Sequence, residues 1–542
     1  MRNTKRKPGI RAITLLLAVV TLLSVLTACG KQEASEPESQ PGAVSADADV
    51  SSAAAAGQKD WSKEKKITID IMTFDTGEAD PNSETDRIKQ YIEDKFNCKF
   101  RVSTVTYGTQ YVEKLNVVIA GGDYPDLYKV MWADFIKNSY EDGILSNIDE
   151  LVADGNLTNL KAYLDEARQY QNLTAFDGEY YAIPMKIGVY QHGLWYRKDW
   201  LDKLGLSVPT TMDEFYEVAK ALKEADLDGM GAYGFSCDSN WWLNHFHCMY
   251  TGSWDYRLMD DGTIQHYRAL DGMKDSYAFW AKMYREGILD QSIYTGTNSM
   301  ELFVTGKTGM MMNNCYASQI QYVLDQIQIN YPEAEVGIMQ LPAGELGSHQ
   351  ITGTPYLDYT AISSTAEDPE RIAAILDYIL SPEGQNLLRN GIEGIHYTTN
   401  ADGTITKNVE ECKKEKFGAG EYGPHWIMGL VYSDPYYISD DFEYLDFFNE
   451  NKKRLEDALN TDYFVTMFAP LDGYSSDVTD KYLAKFNELY NQFDQKFIMG
   501  ELEVNDENWQ LWKDTIESEA HYSELVEDWT NAYREYEAAQ SD

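Results

Sequence analysis

Three short stretches of the chain set ring-bearing side chains beside amides or carboxylates: Trp132-Ala133-Asp134, Asp238-Ser239-Asn240-Trp241-Trp242 and Asn313-Asn314-Cys315-Tyr316. A sugar has flat apolar faces edged with hydroxyls, so a site that holds one needs aromatic platforms and polar groups that hydrogen-bond in pairs. Aromatic residues make up 13% of the chain, with 12 Trp and 39 Tyr, which is more than a core requires and suits such a surface, although core packing accounts for most of them.

Other chemistry finds less support. Gly306-Lys307-Thr308 is similar to the end of a phosphate-binding loop, but Glu301 stands where the first glycine of that cradle belongs. Asp226-Leu227-Asp228-Gly229-Met230-Gly231 resembles the start of a calcium loop, yet Met230 and Cys237 occupy two of its ligand positions. Whether an ion binds near Asp226 and Asp228 stays open. His245-Phe246-His247 adjoins Cys248 without a further ligand at zinc spacing, and neither HExxH nor GxSxG occurs. Carboxylates are too numerous for one pair to stand out as the acid and nucleophile of a glycosidase. No catalytic residue, metal or cofactor is expected from the sequence.

These residues need elements to hold them, and the pattern alternates strand with helix. Lys66 to Phe74 reads as a strand, followed by a helix from Ser83 with Ser83 and Asp86 at N-cap and N3 and with Ile88, Tyr91, Ile92 and Phe96 on one stripe. A second strand covers Lys99 to Val105, then come a helix from Gln110 to Ala120, a turn at 121–125 and a strand from Leu127 to Met131. This is the punctuation of open α/β sheets. Thr211 and Glu214 form a capping box, Pro369 opens a helix, and Tyr482 to Phe497 keep helical spacing until Gly500. From about Asp440 the chain reads as mostly helical.

Arg2, Lys5, Arg6, Lys7 and Arg11 precede an apolar run from Ala12 to Leu26, at about 15 residues suited to export and short for a spanning helix. The run ends in Leu26-Thr27-Ala28-Cys29, similar to a bacterial lipobox, which predicts a signal peptide over 1–28 and lipid on Cys29. Residues 29–62, poor in aromatics, read as a disordered tether. The remaining stretch of about 480 residues exceeds one core. A formal net charge of -42 argues against nucleic acid and against electrostatic binding to anionic lipid. With Cys29 set aside, five cysteines without CxxC spacing indicate neither a disulfide framework nor zinc; pairing of Cys237 with Cys248 is left open.

Seven motifs then follow in order. They are Ala120-Gly121-Gly122-Asp123-Tyr124-Pro125-Asp126-Leu127, Asp177-Gly178-Glu179-Tyr180-Tyr181-Ala182-Ile183-Pro184, Leu194-Trp195-Tyr196-Arg197-Lys198-Asp199-Trp200-Leu201, Pro209 to Phe215, Phe303 to Met310, Leu380 to Gly384 and Gly391 to Tyr397. Together they resemble the family 1 extracellular solute-binding proteins. That resemblance implies an α/β, type II periplasmic-binding-protein fold: two α/β lobes with a hinge and a central cleft, and a helical C-terminal part. It implies crossings near Ile187 to Gln191, near Ile351 and near Tyr397, hence a first lobe of 63–188 plus 352–396 and a second of 189–351 plus 397–542. The implied function is capture of an oligosaccharide, without catalysis, for delivery to an ABC permease by a monomer anchored through Cys29 on the outer face of the cell membrane. Trp132, Asp134, Trp241, Trp242, Asn314 and Tyr316 fall on loops that the family places at its cleft, and Asp75, Tyr190 and Tyr356 at the ends of the first strand and of two crossings. Glu393 and His396 read as structural. A surface glycan-degrading enzyme and a glycan-binding adhesin are the alternatives.

Overall fold

The computed structural model describes residues 59–75, 80–131, 133–168, 175–176, 178–186, 192–344, 346–347, 350–352, 356–415, 425–431, 442–459, 464–466, 471, 474 and 476–539. The expected leader and Cys29 lie outside these residues.

Nine strands build two sheets: β1 (Ile67–Asp75), β2 (Cys98–Thr106), β3 (Leu127–Val130), β4 (Ile183–Lys186), β5 (His192–Arg197), β6 (Tyr233–Cys237), β7 (Thr308–Asn314), β8 (Val336–Met339) and β9 (Tyr356–Ile362). The first sheet has the order β2-β1-β3-β9-β4, and the second β8-β5-β7-β6. β1 pairs parallel with β2 and β3, while β9 runs antiparallel to β3 and β4. In the second sheet β7 is parallel to β6 and antiparallel to β5.

Each sheet is covered on both faces because alternate side chains leave a strand in opposite directions. On β1, Ile69 and Ile71 enter a core with the helices Arg87–Lys95, Thr158–Ala167 and Pro369–Leu380, whereas Met72 enters another with Tyr111 and Tyr128. On β7, Met310 and Met312 face the core shared with the C-terminal helices, and Met311 faces the opposite one. Helices Asp477–Ile498, Asp506–Ala520 and Tyr522–Ala539 bury Phe486, Tyr490, Trp512 and Trp529 in the second lobe.

The chain passes from the first sheet to the second between Lys186 and His192, and back between Met339 and Tyr356. The crossing expected near Tyr397 falls later. Cys412, Ile427, Leu430 and Val431 share the core of β1, while Phe442 and Phe448 belong to the core behind β7. Residues 397–431 therefore stay with the first lobe, held by Arg87 paired with Glu411 and Glu415 and by the Lys407 ammonium donating to the Arg389 carbonyl. Trp61, expected in the tether, packs against the first core under Arg371.

Local signals explain the helix starts with two shifts. The first helix begins at Arg87 with Asp86 as its N-cap, the carboxylate accepting the Lys89 N–H at 2.8 Å, and Ser83 lies in the turn before it. Aspartate and serine cap about equally well, and Asp86 is also held in place by His425, 2.9 Å away. At Met212–Ala225 the Thr211 hydroxyl accepts the Glu214 N–H, but the Glu214 carboxylate accepts from Thr210, not from Thr211 itself.

Candidate functional site

Because β1 and β2 run parallel in register, Asp75 and Thr106 finish together. Tyr107 and Gly108 then turn the chain at that carboxyl end, Gly108 with φ +108°, a conformation open to glycine. The half-exposed Tyr107 ring meets Phe74 edge-on at 4.8 Å and lies close enough to Tyr316 for the two hydroxyls to interact electrostatically. Tyr316 follows β7 and occupies the N-cap position of helix Ala317–Asn330. Strand ends of both sheets thus converge where open α/β sheets place ligands.

Beneath Tyr107 lies Asp358, only 4% exposed. It sits near the start of β9, in the register shift between Tyr356 and Tyr359, with φ +61°. Its carboxyl hydrogen-bonds to Tyr107, and its Oδ1 has no hydrogen-bond partner among the described residues. Burial pushes the pKa of Asp358 up, which the nearby ammonium of Lys129 opposes, and burial pushes that of Lys129 down. The Lys129 Nζ contacts Met185 Sδ at 2.8 Å and donates to Thr360 Oγ1 at 3.2 Å and to the Leu430 carbonyl at 3.4 Å.

The row continues into the second lobe. Asn314 pairs with His192 across β7 and β5. Around His192 stand Trp241 at 5.8 Å, Trp242 at 4.9 Å and His245 at 4.8 Å between ring centroids, and Trp254 lies 5.3 Å from His245. Burial holds His192 down to about 3 and depresses His245 well below the usual imidazole range, so both rings are neutral at physiological pH. Trp241 is 45% exposed, the outer wall of this box, and Trp242 is buried behind it. Arg454 clamps the box from below, donating to the His192 carbonyl, to Asn451 Oδ1 and to the Met339 carbonyl.

Of the residues singled out from sequence, Trp241, Asn314 and Tyr316 come together in this row. Trp242 faces the core and supports Trp241 from behind, the two rings of the 3-10 turn Asn240–Leu243 meeting edge-on at 5.1 Å. Asp75 ends β1 and Tyr356 begins β9, but their side chains, with Trp132 and Tyr190 entirely, lie outside the described residues. Asp134, expected on a loop, falls in helix Ala133–Glu141, and its side chain is likewise outside the description. Sequence reasoning missed Tyr107, Lys129, His192 and Asp358. Tyr107 had a usable signal, since it follows a strand as Asp75 does. The others depend on register and backbone conformation that no spacing reveals.

The remaining motifs are structural. His396 accepts the Ile392 N–H at Nδ1 and meets Glu415 at Nε2, 3.1 Å away, while Glu393 accepts the Thr399 hydroxyl. Asp226 closes its own loop by accepting the N–H groups of Gly231 and Ala232, and among the described residues no three His, Cys, Asp or Glu side chains cluster for a metal. Gly306 has φ +73° at the entry to β7, where a Cβ would come within 2.5 Å of Asp228 Oδ2, which accounts for the glycine before Lys307-Thr308. Cys237 and Cys248 are both buried free thiols.

Two lobes, each around its own sheet, with strand ends and ring-bearing side chains converging at the crossings, define the class of the periplasmic solute-binding proteins. The chain belongs to the bacterial extracellular solute-binding protein family, whose pattern matches residues 81–386, more than half of the chain. It is 26% identical to lipoprotein LipO of Bacillus subtilis over 504 residues, covering 86% of this chain and 93% of that protein. Against the polygalacturonan/rhamnogalacturonan-binding protein YtcQ of the same organism it is 25% identical over 428 residues, with 74% of this chain and 77% of that one covered. The solved structure of alginate-binding protein AlgQ2 superposes with a TM-score of 0.68 at 20% identity, over 88% of this chain and 100% of that chain. The FusA substrate-binding protein of Streptococcus pneumoniae in complex with kestose does so with a TM-score of 0.61 at 19% identity, over 87% and 100%.

Proposed function

We propose that this protein is the lipid-anchored binding component of an ABC importer, and that it captures an oligosaccharide between its lobes and hands it to membrane permease subunits without chemical change. The observation that carries this reading is the row from Trp241 through Asn314 and Tyr316 to Tyr107, rings and amides gathered at strand ends of both sheets. Relatives named for binding polygalacturonan, fructooligosaccharide and multiple sugars support the ligand class. Anchoring rests on Leu26-Thr27-Ala28-Cys29 after a basic and apolar leader, and the relative LipO is named a lipoprotein. One acyl chain binds a membrane only marginally, so Cys29 would carry at least two. Asp75, Trp132, Asp134, Tyr190 and Tyr356 are proposed further contacts. Glycoside hydrolysis needs two carboxyl groups flanking the bond; the charged neighbour that acts on Asp358 is the Lys129 ammonium, not a second carboxylate.

A thermal-shift screen of oligosaccharides tests the reading, because a ligand that binds only the native state raises Tm by mass action. Glycans are expected to raise it and to be recovered intact by chromatography. Stabilisation by amino acids or peptides with none by any glycan would sink the ligand class, and new reducing ends would replace capture by hydrolysis.

A further inference from the structure

Asp358 combines three features that packing alone does not require: a left-handed backbone in a residue other than glycine, burial, and a carboxylate oxygen without a partner. Aspartate tolerates the left-handed region better than most residues, but strain and unsatisfied buried acceptors concentrate where a ligand repays them. The register shift in β9 turns this one residue out of the ladder, at the point where the strand arrives from the second lobe. Tyr107 hydrogen-bonds to it, and the Tyr107 ring meets Phe74 edge-on.

The cationic donors nearby are committed. An ammonium has three N–H groups, and those of Lys129 go to Met185 Sδ, Thr360 Oγ1 and the Leu430 carbonyl. The Arg454 guanidinium, which adjoins the row at His192, is occupied by Asn451, Gln340 and the Met339 and His192 carbonyls. His192 and His245 are held neutral. What Asp358 itself presents is an acceptor, and the two cations nearby are already engaged, so a hydroxyl suits this oxygen better than an anion does. Hydroxyls donate, and an ionised uronate carboxylate does not. The net charge of -42 adds a long-range field that repels anions.

We infer that the Asp358 carboxylate oxygen accepts a sugar hydroxyl and selects an uncharged glycan over an oligouronate. This rests on the carbohydrate reading above and names the class within it. It sets the chain apart from the relatives named for polygalacturonan and alginate.

Two matched panels test it by isothermal titration at fixed ionic strength: neutral malto-, manno-, xylo- and fructo-oligosaccharides against oligogalacturonates and oligoalginates of equal length. At least one neutral series is expected to bind at least tenfold more tightly than any uronate. Asp358→Asn, which keeps a residue tolerant of the left-handed backbone but replaces one carboxyl oxygen with an amide N–H donor, should weaken neutral binding about tenfold and should narrow the neutral-to-uronate ratio. Tyr107→Phe, which leaves the backbone alone, should weaken neutral binding in the same direction. Uronates binding as tightly as neutral chains would overturn the inference while sparing the carbohydrate reading, and so would a ratio unchanged in Asp358→Asn. Silence from both panels would overturn the reading and the inference together.

Discussion

Trp241 keeps almost half of its surface exposed although it is the outer member of a five-ring box, and Tyr316 stands at the head of a helix opposite Tyr107. Rings placed this way suit the proposed role of platforms for a ligand. Trp241→Ala and Tyr316→Ala should each weaken glycan binding by about 1–3 kcal/mol, the scale of a buried aromatic contact, while the Tm of the free protein stays within a few degrees. Variants that bind as the parent does would remove this row from the site. A second residue-scale prediction concerns Asp494, which is buried in the second lobe between Tyr294 and Asn240, whose donor groups it accepts at 2.7 and 2.9 Å. Burial raises it to about 6 against these hydrogen bonds and the more distant Arg268. A raised folded value means that the folded state holds the proton more tightly. The stabilisation is complete below the unfolded value near 4 and is lost as pH rises through about 6, a change of about 3 kcal/mol for two units. Asp494→Asn should flatten the rise in stability between pH 6 and pH 4, read from urea unfolding at each pH; an unchanged slope would assign that rise to other groups.

Helix starts and close strand approaches carry the elements that aim these residues. The helix Met212–Ala225 lies under β6 and is capped by the Thr211 hydroxyl. Thr211→Ala should destabilise the second lobe by about 1 kcal/mol in urea unfolding and leave glycan affinity unchanged, since the cap satisfies backbone N–H groups far from the row. At the other extreme of packing, a Cβ on Gly193 would come within 2.5 Å of Ile338 Cγ2 and 3.2 Å of Cys315 Sγ. Gly193→Ala therefore forces β5 and β8 apart beside His192 and should cost about 1–3 kcal/mol in stability and weaken binding as well. Stability equal to the parent's would show that the strands yield without strain.

At the scale of the molecule, two independently packed sheets joined by crossing segments form a body that can close about a hinge. Saturating glycan should reduce the radius of gyration measured by small-angle scattering, and Trp241→Ala should require more ligand for the same change. A radius insensitive to a glycan that demonstrably binds would mean that capture occurs without closure. Replacing Cys29 with serine should move the protein from the membrane to the soluble fraction; retention at the membrane would point to a different anchor.

The strands β1, β2 and β3 and the helix opening at Pro369 were legible because alternation, helical stripes and capping residues are local signals that need no partner. The proposed contact of Trp241, Asn314 and Tyr316 with a ligand is for the binding experiments to decide; that they set rings beside amides was likewise visible along the chain. The shift of the first N-cap from Ser83 to Asp86 was not, since it depends on His425, more than three hundred positions away. Nor was the allegiance of 397–431, which is decided by Cys412, Ile427 and Leu430 finding the core of β1. Asp358 shows the limit most clearly. Its left-handed backbone arises from a register shift between strands, and its environment from Lys129 and Tyr107 on two other strand ends. Periodicity and spacing determined which pieces form and where rings and amides cluster along the chain; only tertiary packing decided which of them meet, because burial, register and electrostatic pairing are properties of neighbours that are distant in sequence.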